Sequence, residues 1–230
     1  MMRDQLEAVS PEFERDGYTL TPVAVHNLGS HNRLITLDTS YIELLGWPPG
    51  REPARREIAD QPFGLDALVF QSADAQDTYG RLREAGFDVN PVQRLERPIP
   101  YRGRSETARF DTVRFATQPV PGLRMYFCQH LTPDYVWDPQ AMRHANGAQA
   151  LHGIVVHAPN AGQVADVLAR LTHAPLSALP DGSRVLRLCN LELRVEERAD
   201  LNEARIAQAT LLHRDGSLRP FTGRYVPDLS

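Results

Sequence analysis

One order of elements, β-α-β-β-β, recurs along the chain, and it constrains the fold more than any other feature. Each copy is a supersecondary unit that cannot bury its apolar face alone, so the copies must pack on one another. The clearest copy opens with residues 64–72 (GLDALVFQS), a short apolar run with strand character. In residues 74–87, Ala75, Tyr79, Leu82 and Gly86 fall at helical spacing, and Gly86 stands where a helix stops. Three extended stretches follow: PVQRLERPI, then ETARFDTVRFAT with Phe110, Val113 and Phe115, then RMYFCQHL.

The order returns at residues 150–158 (ALHGIVVHA). Its helix carries Asn160 and Gln163 as a variant capping box and Val164, Leu168 and Leu171 as the buried stripe. PLSAL, SRVLRLCN and LELRVEE complete it, the first two parted by a turn at Pro180-Asp181-Gly182. An earlier copy is incomplete. Leu6, Val9 and Phe13 open a helix that closes near Asp16-Gly17, and YTLTPVAVHN, HNRLITLDT and YIELLGW follow as strands. Only residues 1–4 precede this helix, so a three-stranded sheet without its first strand is expected. The expected organisation is an incomplete module over 1–50, complete modules over 62–132 and 149–200, and a tail over 201–230. The tail's run RIAQATLL reads as the first strand of an abortive fourth copy. WPPGREPARRE and TPDYVWDPQAMRHANGA, rich in Pro, Gly and charge, read as linkers.

Composition removes several function classes. The formal net charge of −4 argues against a nucleic-acid partner, which needs a basic face. No run approaches the roughly 18 apolar residues of a membrane span. The charged start MMRDQLEAVSPEFERDG does not read as a secretory signal, so a cytoplasmic location is expected. Two cysteines, Cys128 and Cys189, make no disulfide framework. All 25 basic residues are arginine, which excludes a pyridoxal Schiff base, a lysine-dependent aldolase and a P-loop. No G-x-S-x-G, H-E-x-x-H or C-x-x-C occurs. The basic cluster over 51–56 is broken by acid and proline and reads as solvated linker.

Repeated βαβββ modules resemble the vicinal oxygen chelate superfamily, which includes glyoxalase I and the extradiol dioxygenases. The run from His26 to Asn32 (HNLGSHN), followed by YIELLG, resembles the H-x-x-G-[ST]-x-N…Y-[IL]-E-L signature of the glyoxalase-like domain proteins. YFCQHLTPDYVW and RHANGA resemble the segment joining the second and third modules in those proteins. The resemblance covers about residues 4 to 200. It implies an α+β fold of tandem βαβββ modules, with cupped mixed sheets and helices on the outer face. It also implies divalent-metal ligands on the cup floor, one on each module's first strand, usually His, and one on its fourth, usually Glu. Zn, Ni, Mn or Fe suits such a donor set. The metal would polarise adjacent substrate oxygens in a lyase, isomerase or dioxygenase.

Carried over residue by residue, this pattern puts Glu43 at the first module's fourth-strand position, with no first-strand counterpart. The second module offers Leu65, which cannot bind metal, and Gln129, a weak neutral ligand read instead as a hydrogen-bonding substrate contact. The third offers His152 and Glu192, a partial metal pair. Weak or absent metal binding is therefore expected in the first two modules, since catalytic sites need about three protein ligands.

The residues themselves also admit plainer readings. Glu43 lies in an apolar strand; facing the cup it is a candidate general base, and facing outward it is a solvated carboxylate. His26, His31 and Asn32 flank a turn at Gly29-Ser30; they either line the cup mouth for a polar substrate or satisfy turn backbone. Glu192 and His152 also fit a wet strand face and a hydrogen-bonded edge histidine. Cys128 reads as a buried, inert thiol pointing opposite to Gln129, and Tyr126, Phe127, Tyr135 and Trp137 read as core. The expected function is catalysis on a small oxygenated or dicarbonyl molecule, with a homodimer as the expected assembly, and dimerisation that completes the sheets would count against a structural remnant. The alternatives are non-catalytic small-molecule sequestration and a structural remnant.

Overall fold

The computed structural model describes residues 1–51, 53 and 56–221. Positions 52, 54 and 55 of the basic cluster lie outside the described residues, as do the last nine residues of the tail, 222–230. The first module holds α1 (Leu6–Arg15), β1 (Ala24–Val25), β2 (His31–Thr36) and β3 (Tyr41–Gly46). A short helix α2 (Arg56–Ala59) leads to β4 (Ala67–Gln71), α3 (Ala75–Glu84), β5 (Gln93–Tyr101), β6 (Arg104–Arg114) and β7 (Arg124–His130). After a 3-10 turn, Pro133–Tyr135, come β8 (Ala148–Ala158), α4 (Ala161–Thr172), β9 (Leu176–Ala178), β10 (Arg184–Arg187) and β11 (Glu192–Glu197). The chain continues through β12 (Arg205–His213) and β13 (Leu218–Phe221). No described helix is long and apolar enough to cross a membrane.

The second module forms a four-stranded sheet in the order β4-β7-β6-β5, with β4 parallel to β7. The third repeats this order as β8-β11-β10-β9, with β8 parallel to β11. A parallel first and fourth strand needs a crossover, and α3 and α4 supply it. Both helices start where the sequence places them. Asp74 accepts from the N–H groups of Gln76 and Asp77, and Asn160 accepts from that of Gln163.

Two elements differ from the sequence reading. YTLTPVAVHN supplies only the two residues of β1, because most of the run is held by other bonds: Arg33 Nε donates to Thr21 O, and the Thr21 hydroxyl accepts from Leu34 N–H. The tail does not stand apart; β12 pairs antiparallel with β8 and carries β13, making the third sheet six-stranded. The first module's named sheet is three-stranded, β1-β2-β3. A stub of chain touches it: Met2 N–H donates to Leu45 O at 2.7 Å, and Arg3 forms a single parallel bridge to Gly46. Glycine is required at that crossing, where a Cβ on Gly46 would lie 2.2 Å from Arg3 O.

Three apolar layers hold these parts. One joins α3 and α4 to the backs of the second and third sheets, through Leu82, Leu168, Met125, Val156 and Leu193. Another packs α1 on β2, β3 and the tail strands, through Leu6, Phe13, Ile35, Leu44, Leu211 and Phe221. Side chains such as Phe13 and Leu6, almost wholly buried, each contribute roughly 1.5–3 kcal/mol by leaving water. The third layer lines the space between the first two sheets: Leu34, Leu95, Phe110, Cys128 and Val136, with Tyr41, Tyr126 and Trp137 at its margin.

Candidate functional site

Strand alternation decides what enters that space. In β3, Ile42 and Leu44 pack toward α1, which turns Tyr41 and Glu43 the other way. In β7, Met125 and Phe127 pack toward α3, so Tyr126, Cys128 and His130 face Glu43. In β2, Asn32 shares the face of Leu34, and its amide Nδ2 donates to Glu43 Oε1 at 2.8 Å. β5 adds Arg97, only 4% exposed, with its guanidinium 6.0 Å from the Phe110 ring centre.

An aromatic and imidazole chain ties these groups together. The His130 ring lies 5.3 Å from Phe110 and 4.9 Å from Trp137, centre to centre. The Tyr41 hydroxyl stands 3.2 Å from His130 Nε2. Burial lowers the His130 pKa to about 4, with Arg97 adding to the shift and Glu43 opposing it. The imidazole is therefore neutral near pH 7. Burial also pushes the Cys128 thiol up to about 12, reinforced by the Glu43 charge. The Tyr126 and Tyr41 phenols are raised by burial first and by Glu43 in addition. Burial lowers the Arg97 pKa, and Glu43 and Tyr41 counter it.

Among the described residues, four buried polar atoms around this carboxylate have no hydrogen-bond partner: Asn32 Oδ1, Arg97 Nε, His130 Nδ1 and Trp137 Nε1. Leaving such groups dry and unpaired costs about 1–3 kcal/mol each. Two cavities open on the cup. One, about 870 Å³, is bordered by Tyr41, Glu43, His130 and Trp137; the other, about 1030 Å³, by Leu28, Arg114 and Tyr126. Both reach Asp66 and Arg124, a buried ion pair with Arg124 Nε 3.1 Å from Asp66 Oδ2.

Of the residues singled out in the sequence, Glu43 and Asn32 meet here. His26 is buried in the turn, its Nδ1 3.0 Å from the Ser30 hydroxyl. His31 lies on the other face of β2 from Asn32, with Arg33 and Ile35. Gln129 faces α3, where its Oε1 accepts from Ala75 N–H at 2.9 Å. Its neighbour Cys128 holds the cup side. The strand register explains the difference. Ser72 N–H bonds Cys128 O as Met2 N–H bonds Leu45 O, which sets Tyr126, not Gln129, level with Glu43. In the third module the bridge Arg3↔Gly46 matches Ala158↔Glu197, each three residues before its helix, which sets Arg194, not Glu192, level with Glu43. His152 and Glu192 are exposed on the third sheet, and Glu192 Oε2 stands 3.3 Å from Arg187 Nε.

Sequence reading did not single out Arg97, His130, Tyr41 or a cup role for Trp137. The alternation in YFCQH contained the signal, since a strand that turns Phe127 inward must turn Tyr126, Cys128 and His130 outward. Among the described residues, no three His, Cys, Asp or Glu side chains lie close enough to hold a metal ion. The donors beside Glu43 do not fit one: a single carboxylate, an imidazole engaged by Tyr41, and a guanidinium cation.

The fold has solved counterparts. A hypothetical protein from Staphylococcus aureus superposes with a TM-score of 0.71 at 15% identity, over 94% of each chain. A mutant 4-hydroxymandelate synthase from Streptomyces coelicolor gives a TM-score of 0.53 at 14% identity, over 83% of this chain and 59% of that one. At these identities the likeness concerns the fold alone. No curated protein sequence matches the chain. The glyoxalase-like domain matches residues 1–172, three quarters of the length. With the modular sheets and the cup between them, that match places the chain in the glyoxalase-like domain family of the vicinal oxygen chelate superfamily.

Proposed function

We propose that the cup between the first two modules binds a small oxygenated molecule and that Glu43 moves a proton on it, as a lyase or isomerase does. One observation carries the reading: among the described residues, three buried nitrogens, Arg97 Nε, His130 Nδ1 and Trp137 Nε1, stand without a hydrogen-bond partner around one carboxylate. Asn32 holds Glu43 Oε1, which leaves Oε2 to take a proton from a C–H next to a carbonyl. With the Tyr41 hydroxyl donating to Nε2, neutral His130 carries its proton on Nδ1. That N–H, the Trp137 indole N–H and the Arg97 guanidinium would then stabilise the developing enolate oxygen. The aromatic rings of Tyr41, Phe110, Tyr126 and Trp137 suit an apolar substituent on the same molecule. No step is routed through a metal, because the donor set does not fit one.

Phenylpyruvate, an aromatic 2-oxo acid, is a suitable probe. Proton NMR in D2O should show exchange of its C3 protons faster with the protein than in buffer. Glu43→Gln should abolish that acceleration while leaving the circular dichroism spectrum unchanged. Neither binding nor exchange with this and related dicarbonyl probes would defeat the proposal. A second reading, sequestration without turnover, draws support from the thin metal-donor set. Binding that persists in Glu43→Gln, with no exchange in either protein, would select it.

A further inference from the structure

The β5–β6 hairpin treats its arginines differently on its two faces. Cross-strand register sets Arg94 opposite Asp111 and Arg109 opposite Glu96. Arg94 Nε lies 2.5 Å from Asp111 Oδ1, and Arg109 Nε lies 3.4 Å from Glu96 Oε1. On the cup face, Arg97 stands opposite Ala108 instead, between Leu95 and Ile99 along β5. It is as buried as those two neighbours, 4% exposed against 7% for each. Among the described residues it makes no ion pair, and its Nε has no hydrogen-bond partner. Glu106, opposite Ile99, acts on Tyr135. Among the described residues, Glu43 is the one carboxylate that acts on Arg97.

A buried cation ordinarily has a bonded counter-charge. Arg97 has only the attraction of Glu43, and burial lowers its pKa against that attraction. A guanidinium nevertheless stays charged in a protein, so its donors call for an anion. Its place is suited to a ligand. The guanidinium lies 6.0 Å from the Phe110 ring centre, and the His130 ring lies 5.3 Å from the same centre. His130 borders the 870 Å³ cavity beside Glu43 and Trp137.

We propose that Arg97 is the anion anchor of the Glu43 cup, and that the molecule bound there is a carbonyl compound bearing a single carboxylate, which Arg97 holds. This rests on the proton-transfer reading of Glu43 and adds the charge of the substrate to it. The five N–H donors of a guanidinium exceed what one enolate oxygen accepts, and its planar edge matches the two oxygens of a carboxylate. Charge favours a carboxylate over a phosphate. With Glu43 ionised and Arg97 charged, a bound carboxylate leaves the cup with one negative charge, and a phosphate dianion leaves two. Desolvation among Leu95, Ile99 and Phe110 opposes the second charge.

The test compares phenylpyruvate with phenylacetone, which has a methyl group in place of the carboxylate. Calorimetric binding to the whole chain is the readout, repeated in Glu43→Gln so that no proton transfer enters it. The acid should bind at least about tenfold more tightly than the ketone in both proteins. Arg97→Met should bring that ratio down to about one. Arg97→Lys keeps the charge without the fork and should leave an intermediate ratio; it decides the matter if the methionine variant does not fold. Inorganic phosphate in excess should not displace the acid. A ratio unchanged by substitution of Arg97 would make this residue a counter-charge to Glu43 alone and overturn the proposal, as would displacement by phosphate. Equal binding of acid and ketone by the unaltered chain would overturn it while leaving the reading of Glu43 intact. Binding of neither probe would defeat both.

Discussion

Glu43 is half-buried, bonded to Asn32, and opposite Tyr126 and His130. Glu43→Gln keeps an acceptor for the Asn32 amide and should change stability little. Glu43→Leu strands that buried amide and removes the charge countering Arg97, so it should cost about 1–3 kcal/mol in urea denaturation. Equal or greater stability of the leucine variant would show the carboxylate to be only a liability. His130 supplies the pH dependence. Its folded pKa is about 4, below the ordinary 6.5, so the unfolded chain takes up a proton first as pH falls. Stability from this group is complete above about pH 6.5 and is lost progressively down to about pH 4. Buried His144, also lowered by burial, acts in the same direction. Denaturation between pH 4 and 7 should show that loss, on the order of 2 kcal/mol, and His130→Gln should flatten part of it.

At the scale of elements, β3 is read on both faces and on its edge. Ile42 and Leu44 fasten it to α1, Tyr41 and Glu43 face the cup, and Gly46 lets Arg3 cross. Gly46→Ala sets a Cβ against a backbone oxygen at 2.2 Å, which no side-chain rotation relieves. It should lower the melting temperature and speed exchange of the amides that the stub protects, Met2 and Trp47 above all. Unchanged exchange there would mean that the stub does not hold the edge. The helices behave as local code. Asp74 and Asn160 cap α3 and α4 at the predicted starts, because capping depends only on residues three or fewer positions away.

Across the whole molecule, the first module is closed by the far end of the chain. The Phe13 and Phe221 ring centres lie 6.0 Å apart, and Leu211 shares their cluster. A double-mutant cycle with Phe13→Leu and Phe221→Leu should return a coupling energy of about 0.5–1.5 kcal/mol, the range for a buried aromatic pair. Additive single effects would mean that the tail folds on the third sheet without bracing α1. The same long-range closure carries His144, whose Nδ1 accepts from Thr19 N–H and whose Nε2 stands 2.8 Å from Thr36 O.

The repeat order, the capped helices and the α+β class were legible in the sequence, which also singled out Glu43 and Asn32 but left open which way each faces. They rest on spacing within a few residues or on one motif, and periodicity encodes both. The rest depends on register. Whether Gln129 or Tyr126 stands level with Glu43 turns on a hydrogen bond between Ser72 and Cys128, distant in the chain, and a one-residue slip reverses every side chain of a strand. Arg97 and Trp137 enter the cup only because β5 and the turn after β7 close on it. Likewise, the separation of His152 and Glu192 from Glu43 follows from which sheets face each other, and no local pattern states which ones do.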